Sequence, residues 1–187
     1  MIGGSIPPSP QGYGRGLEGL VAGDTRISDI DGVEGRLRYR GYPIEDIVAH
    51  TSFEATSYLI LHGELPTADQ LMAWEAELRR WRRPPAAALH ALARVPRRAH
   101  PLAQYRTMLT VAACHTPEPE NTTLDAQWRR PARILSWTAA LAAAAIRHLH
   151  GFGPIDPDDE LGFAANFLFQ TLGRSSPDSE LRAFEAS

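Results

Sequence analysis

The chain has 187 residues, 43% hydrophobic and 22% charged, a balance that excludes overall disorder and supplies enough apolar side chain for one packed domain. Its formal net charge of -3 excludes the basic footprint of a nucleic-acid binder or of a protein held on an anionic membrane. The single cysteine, Cys114, excludes an internal disulfide and points to a reducing, cytoplasmic setting.

Residues 1–16 are rich in glycine, proline and serine, and predict a flexible lead-in. They lack a charged n-region followed by an apolar h-region, so no secretory leader is expected. From Leu20 the pattern changes. Leu20, Ala22 and Ile27, the turn pair Asp31-Gly32, and the returning Leu37 and Tyr39 read as a short hairpin, the only strand signal in the chain.

Helices follow. Thr51 with Glu54 three residues on reads as a capping box, opening a helix whose Phe53, Ser57, Ile60 and Leu61 share a face, with Gly63 closing it. Thr67 with Gln70 repeats the device. Leu71, Trp74, Leu78 and Trp81 then recur at helical spacing until Pro84-Pro85 forbids more. A short helix is expected over residues 86–94. Pro101 suits a first helical turn, and Leu102, Tyr105, Met108, Leu109 and Ala112 form the next stripe, ending near Pro117.

A longer helix is predicted over residues 124–150, with Pro131 as a break or a new start. Its segment LSWTAALAAAAI carries small residues around the circumference, which permits close helix approach inside the domain or at a subunit interface. The apolar run from Ile134 to Ile146 is too short to cross a bilayer and holds Ser136 and Thr138, so no membrane span is expected. Asp156 as cap and Pro157 at the first position predict a further helix, and Ser176-Pro177-Asp178 predicts the last.

Chemistry-bearing motifs are sparse. GRGLEG at 14–19 has the glycine spacing of a dinucleotide-binding turn, but no preceding strand or alternating strand-helix pattern supports it. The seven histidines form no HExxH, and no CxxC occurs, so neither a metal site nor a cofactor is predicted. There is no GxSxG elbow. Cys114 falls in a mostly apolar helix, where a structural thiol is expected. All 19 basic residues are arginine, clustered at 79–83, 97–98 and 129–130 beside prolines, which reads as solvated charge at helix ends.

Several ordered segments carry a resemblance. These are GLEG at 16–19, DTRISDIDG at 24–32, GRLRYRGYPIEDI at 35–47, SFE from Ser52, LHGELPT at 61–67, AHPLAQYRT at 99–107 and ANFLF at 165–169. Together they resemble the citrate synthase family along nearly the whole chain from Leu17. The resemblance implies a mainly α, multi-helical large-domain portion with a short N-terminal β-hairpin, spanning 17–187 without the small domain. It implies condensation of acetyl-CoA with oxaloacetate, in the tricarboxylic acid cycle, by a dimeric enzyme. A 2-methylcitrate synthase lineage, using propionyl-CoA, stays open.

The family works through two histidines and one aspartate: a carboxylate takes the α-proton of the thioester, one histidine stabilises the enol, and the other polarises the ketone. The segments that carry them, resembling LHADHE and GPxHGGANE, do not occur in these 187 residues. No catalytic residue is therefore assigned, and the chain is expected to be truncated and inactive alone. Alternatives are one half of a split synthase or a non-catalytic homologue that pairs with a complementary or full-length synthase chain. Where many members place a substrate-contacting histidine, residues 163–169 hold none, and Asn166 is the one polar side chain there that could reach substrate. With partner helices absent, apolar surface on the alanine-rich helix and the last helix is expected to drive self-association.

Overall fold

The computed structural model describes residues 23–115 and 124–186, the side chains of 124–129 excepted. The expectations for residues 1–16, for Leu20 and Ala22, and for Pro117 lie outside the described residues.

The chain enters through a three-stranded antiparallel sheet in the order β1 (Ser28–Asp31), β2 (Arg36–Tyr39), β3 (Tyr42–Pro43), with Ile30 opposite Leu37 and Tyr39 opposite Tyr42. Asp31 makes the first turn: its Oδ1 accepts from the amides of Val33 and Glu34, each at 3.0 Å. The second turn places Arg40 at φ 50 and Gly41 at φ 91. A left-handed non-glycine residue costs about 1 kcal/mol or more. Arg40 is held there by its amide on the Ile27 carbonyl and by its guanidinium, which donates through Nε and Nη2 to the Ile60 carbonyl. That tether explains β3, which has no side-chain alternation to announce it.

Eight helices follow among the described residues: α1 (Ile44–His50), α2 (Phe53–His62), α3 (Ala68–Arg80), α4 (Ala86–Leu92), α5 (Pro101–Cys114), α6 (Leu124–Leu149), α7 (Phe163–Leu172) and α8 (Asp178–Glu185). The capping box at Thr67 and Gln70 forms in both directions. Pro101 occupies the first turn of α5, with His100 Nδ1 accepting from the Leu102 amide. Gly63 and Gly173 end α2 and α7 in the left-handed conformation that glycine adopts without a Cβ penalty.

Four local expectations are corrected. The cap of α2 is Ser52, which accepts from the Ala55 amide, while the Thr51 hydroxyl bonds back to the Ile47 carbonyl and to Thr56. The buried face of α2 is Glu54, Ala55, Ser57, Tyr58 and Leu59, so Ser57 faces inward as expected while Phe53 and Leu61 are exposed. Pro131 does not interrupt α6. The lost ladder hydrogen bond is outweighed by packing against α3, α5 and α7. No helix starts at Asp156; α7 begins at Phe163.

The core has two clusters, both built on α6 and both touched by Trp81. Met108 and Ala112 of α5 and Leu92 of α4 pack on Trp137, Leu141 and Ala145 of α6. Tyr58, Trp74 and Leu78 pack on Ala132 nearer its start. The alanines at 140 and 143–145 are buried, so the small-residue stretch permits close approach within the domain, the first of the two uses its composition allows. Leu102, expected in the α5 stripe, is 62% exposed; Gln104 takes the inward place, fully buried and donating to the carbonyls of Arg97 and Ala99. No described helix is long and apolar enough to cross a membrane.

Candidate functional site

The connection between α6 and α7, residues 150–162, is where distant parts of the sequence converge. Ordinary helix formation would have used its carbonyls locally. Instead side chains take them in turn. Arg97 donates to Gly151, Arg147 to Gly153, Gln170 to Ile155, Arg83 to Pro157, and Arg82 to both Asp158 and Leu161. The segment is a strap tied down at six carbonyls, and this is why the Asp156-Pro157 start signal yields no helix.

Arg82 is the deepest of these ties. Only 4% exposed, it reaches the Asp158 and Leu161 carbonyls at 2.8 and 2.6 Å. Burial pushes its guanidinium below the ordinary arginine range, with Arg79 acting in the same direction and Asp159 and Glu54 opposing. The solvated helix-end reading therefore fails for Arg82, which is a buried cation spent on main chain. Arg83 beside it forms a bidentate pair with Asp159, both contacts at 3.0 Å, which raises Arg83 and holds the Asp159 carboxyl below its ordinary value.

Asn166 lies on the first turn of α7, 5% exposed, with both ends of its amide engaged. Oδ1 accepts from the Asp158 amide at 2.9 Å, and Nδ2 donates to Gln170 Oε1 at 3.1 Å. Gln170 Nε2 continues to the Ile155 carbonyl. The relay Asp158, Asn166, Gln170, Ile155 fixes the strap to α7 from inside. Glu54 completes the arrangement: its Oε1 accepts the Phe163 amide at 2.8 Å, placing a carboxylate at the amide end of α7. Phe53 stacks on Phe163, ring centroids 4.4 Å apart.

Sequence reasoning singled out Asn166 and missed Glu54, Arg82 and Gln170. Glu54 was visible only as the third residue of a helix, a position that suggests a local cap, and Arg82 only as one member of an arginine run. Neither partner lies within seventy residues in sequence, so no local pattern could expose the pairing.

Three of the seven histidines bond main chain. His100 caps α5, His115 bonds the Val111 carbonyl, and His148 Nε2 lies 2.9 Å from the Val95 carbonyl. His62 packs on Tyr58 and edge-on to Trp74, and burial lowers its pKa. No group of three or more His, Cys, Asp and Glu able to hold a metal occurs among the described residues. Cys114, expected as a packed thiol, is exposed at the end of α5 because the apolar face of that helix turns Gln104, Met108 and Ala112 inward instead.

Residues 16–187 match the family model described as citrate synthase, C-terminal domain. The chain is 36% identical over 173 residues to a citrate synthase of Mycolicibacterium smegmatis, covering 92% of this chain and 46% of that protein. It is 33% identical over 180 residues to 2-methylcitrate synthase 2 of Corynebacterium glutamicum, at 92% and 46% coverage. Among solved structures, citrate synthase from Pyrobaculum aerophilum superposes with a TM-score of 0.85 at 28% identity, covering all of this chain and 49% of the other. Citrate synthase from Thermoplasma acidophilum, solved as a ternary complex with carboxymethyl coenzyme A and oxaloacetate, gives 0.83 at 28% identity, over 91% of this chain and 45% of the other. The chain thus spans about half the length of the relatives it matches. With this helical frame and this match along its length, the chain belongs to the citrate synthase family.

Proposed function

We propose that this chain supplies large-domain scaffold for condensation of an acyl-CoA thioester with oxaloacetate, and that it does not turn over alone. Acetyl-CoA is the favoured donor, giving citrate in the tricarboxylic acid cycle; propionyl-CoA, giving 2-methylcitrate, is the alternative that the C. glutamicum relative supports. The carrying observation is the commitment of the polar groups around α7. The reaction needs a carboxylate base and two histidines free to meet a ketone and an enol. Here Glu54 Oε1 accepts the Phe163 amide and Asn166 bridges Asp158 and Gln170, while His100, His115 and His148, away from α7, bond main chain.

In this reading Asn166 serves substrate by fixing the strap beside α7. A direct substrate contact would draw on the second lone pair of Oδ1 or the second N–H of Nδ2, beside the bonds to Asp158 and Gln170. The chain works in the cytoplasm, where the exposed Cys114 thiol stays reduced, and as an oligomer, pairing with itself or with a synthase chain. Exposed Leu102 on α5 and Ile134 and Ile146 on α6 support that pairing.

The test is CoA release from acetyl-CoA and oxaloacetate, following the thioester absorbance rather than a thiol reagent, because exposed Cys114 would itself react. The isolated chain should give background rates, and a second polypeptide carrying LHADHE-like and GPxHGGANE-like segments should restore turnover. Turnover by the isolated chain would sink the inactivity, and silence with a folded, bound complement would sink the synthase reading.

A further inference from the structure

Charge is unevenly distributed along this chain. Residues 78–117 hold eight arginines and no aspartate or glutamate, so all 22 acidic residues of a protein of net charge -3 lie elsewhere. The first of these arginines are matched within the fold: Arg79, Arg80 and Arg83 pair with Glu75, Glu77 and Asp159, and Arg82 is buried on main chain. Arg94, Arg97, Arg98 and Arg106 are exposed and enter no ion pair among the described residues. Like charges gathered on one short connection repel one another, and an anion from outside the fold relieves that repulsion.

Arg97 shows how the cluster is seated. Its Nη2 donates to the Gly151 carbonyl, a neutral acceptor, at 3.3 Å. Gly151, at φ 87, makes the approach possible, since a Cβ there would lie 3.0 Å from Arg97 Nη1. The guanidinium thus rests against the start of the strap with its charge uncompensated.

The same side chain lines an open trough of about 350 Å³ between the end of α4 and the strap. Its wall is mixed: Leu89, Leu92 and Val95 stand on one side and Phe152 and Pro154 on the other, with Arg97 and His148 as the polar side chains. Phe152 is 59% exposed, and the Arg147 guanidinium lies 5.3 Å from its ring centroid. Apolar and aromatic surface bordered by arginine is the composition of a protein–protein contact.

We propose that this face is a docking surface for a short acidic segment of another polypeptide, which places one large apolar side chain in the trough and its carboxylates on Arg94, Arg97 and Arg98. Charge complementarity selects the occupant. A long polyanion such as a nucleic acid would run off the patch onto the acidic remainder of the chain, whereas a short segment ends where the arginines end. The inference goes beyond the condensation reading and its test contains no acyl-CoA, so the two can fail separately.

The test uses the full chain and a fluorescein-labelled peptide of about ten residues, glutamates and aspartates around one tryptophan, with affinity read by anisotropy. Wild type should bind it saturably, and more weakly as salt rises from about 50 to about 300 mM. Arg97→Gln combined with Arg98→Gln should weaken binding about tenfold, as should Phe152→Ser or replacing the peptide's tryptophan by alanine. Arg174→Gln, on the connection between α7 and α8, should leave affinity unchanged. No saturable binding by wild type, an equal loss in Arg174→Gln, or no loss without the tryptophan overturns the assignment. Single-stranded DNA of about ten nucleotides binding as tightly as the peptide also overturns it, in favour of an unselective anion surface, and so does peptide affinity that falls as protein concentration rises, in favour of a second copy of the chain on this face.

Discussion

Glu54 on α2 accepts the amide of Phe163 at 2.8 Å, joining the start of α7 to a helix 109 residues earlier. The bond satisfies one of the amides a helix start leaves unpaired and sets a negative charge at the positive end of the helix dipole. Phe163 also packs against the cluster of Tyr58, Trp74, Leu78 and Ala132, so the capped end of α7 is seated on the core.

Removing that carboxylate should therefore cost more than its own hydrogen bond. Glu54→Ala is expected to destabilise the chain by about 1–3 kcal/mol, and Glu54→Gln, which keeps an acceptor, by about 1 kcal/mol or less. Urea unfolding checks the order. Equal losses in the two variants would show that packing, not the acceptor, governs the site.

Arg82→Met should be costlier, about 3 kcal/mol or more, because it strips donors from two part-buried carbonyls at Asp158 and Leu161 at once. The damage should concentrate in the strap. Hydrogen exchange at the Asp158 amide, protected by Asn166 Oδ1, is expected to accelerate well before exchange in the centre of α6. Uniform acceleration across both would contradict a local tie.

Trp74 Nε1 donates to Ser57 Oγ at 2.9 Å, and that hydroxyl donates in turn to the Glu54 carbonyl at 2.8 Å. Ser57→Ala leaves a buried indole without this acceptor, at a cost of about 1–2 kcal/mol. Tryptophan emission should change with it, since Trp74 is 2% exposed and its environment is set by this contact. An unchanged spectrum at reduced stability would place the loss elsewhere.

Burial holds the His62 ring below its ordinary value of 6.5. As pH falls, the unfolded chain takes up the proton first, so the stability that neutral His62 contributes is complete above about pH 6.5 and is lost as pH drops through the folded-state value. His62→Gln should remove that part of the slope. Unfolding free energies between about pH 7 and about pH 5 measure it, and parallel curves for the two proteins would show that other groups carry the pH dependence.

Local features were legible because their physics is local. The Thr67-Gln70 box, Pro101 at a first turn and the stop glycine at 63 act within four residues, and each appears in the fold as the sequence reads. The Thr51-Glu54 pair failed on the same grounds: Ser52 is an equally good cap one residue later, and Glu54 had a distant amide to satisfy. At the candidate site, Asn166 stood out as the one polar residue in its stretch, yet its partners Asp158 and Gln170 became visible only when the strap and α7 were side by side.

The sequence by itself determined the helical class, the hairpin turn at Asp31, most of the helix ends and the family, since periodicity, caps and ordered segments are written along the chain. Tertiary structure decided the course of residues 150–162. Asp156-Pro157 is a sound local start, but a helix there would need carbonyls that Arg82 and Arg83 claim from 74 to 79 residues away. Hydrogen bonds to a buried cation outweigh a short helix of few bonds, and that balance exists only once the two segments have been folded together.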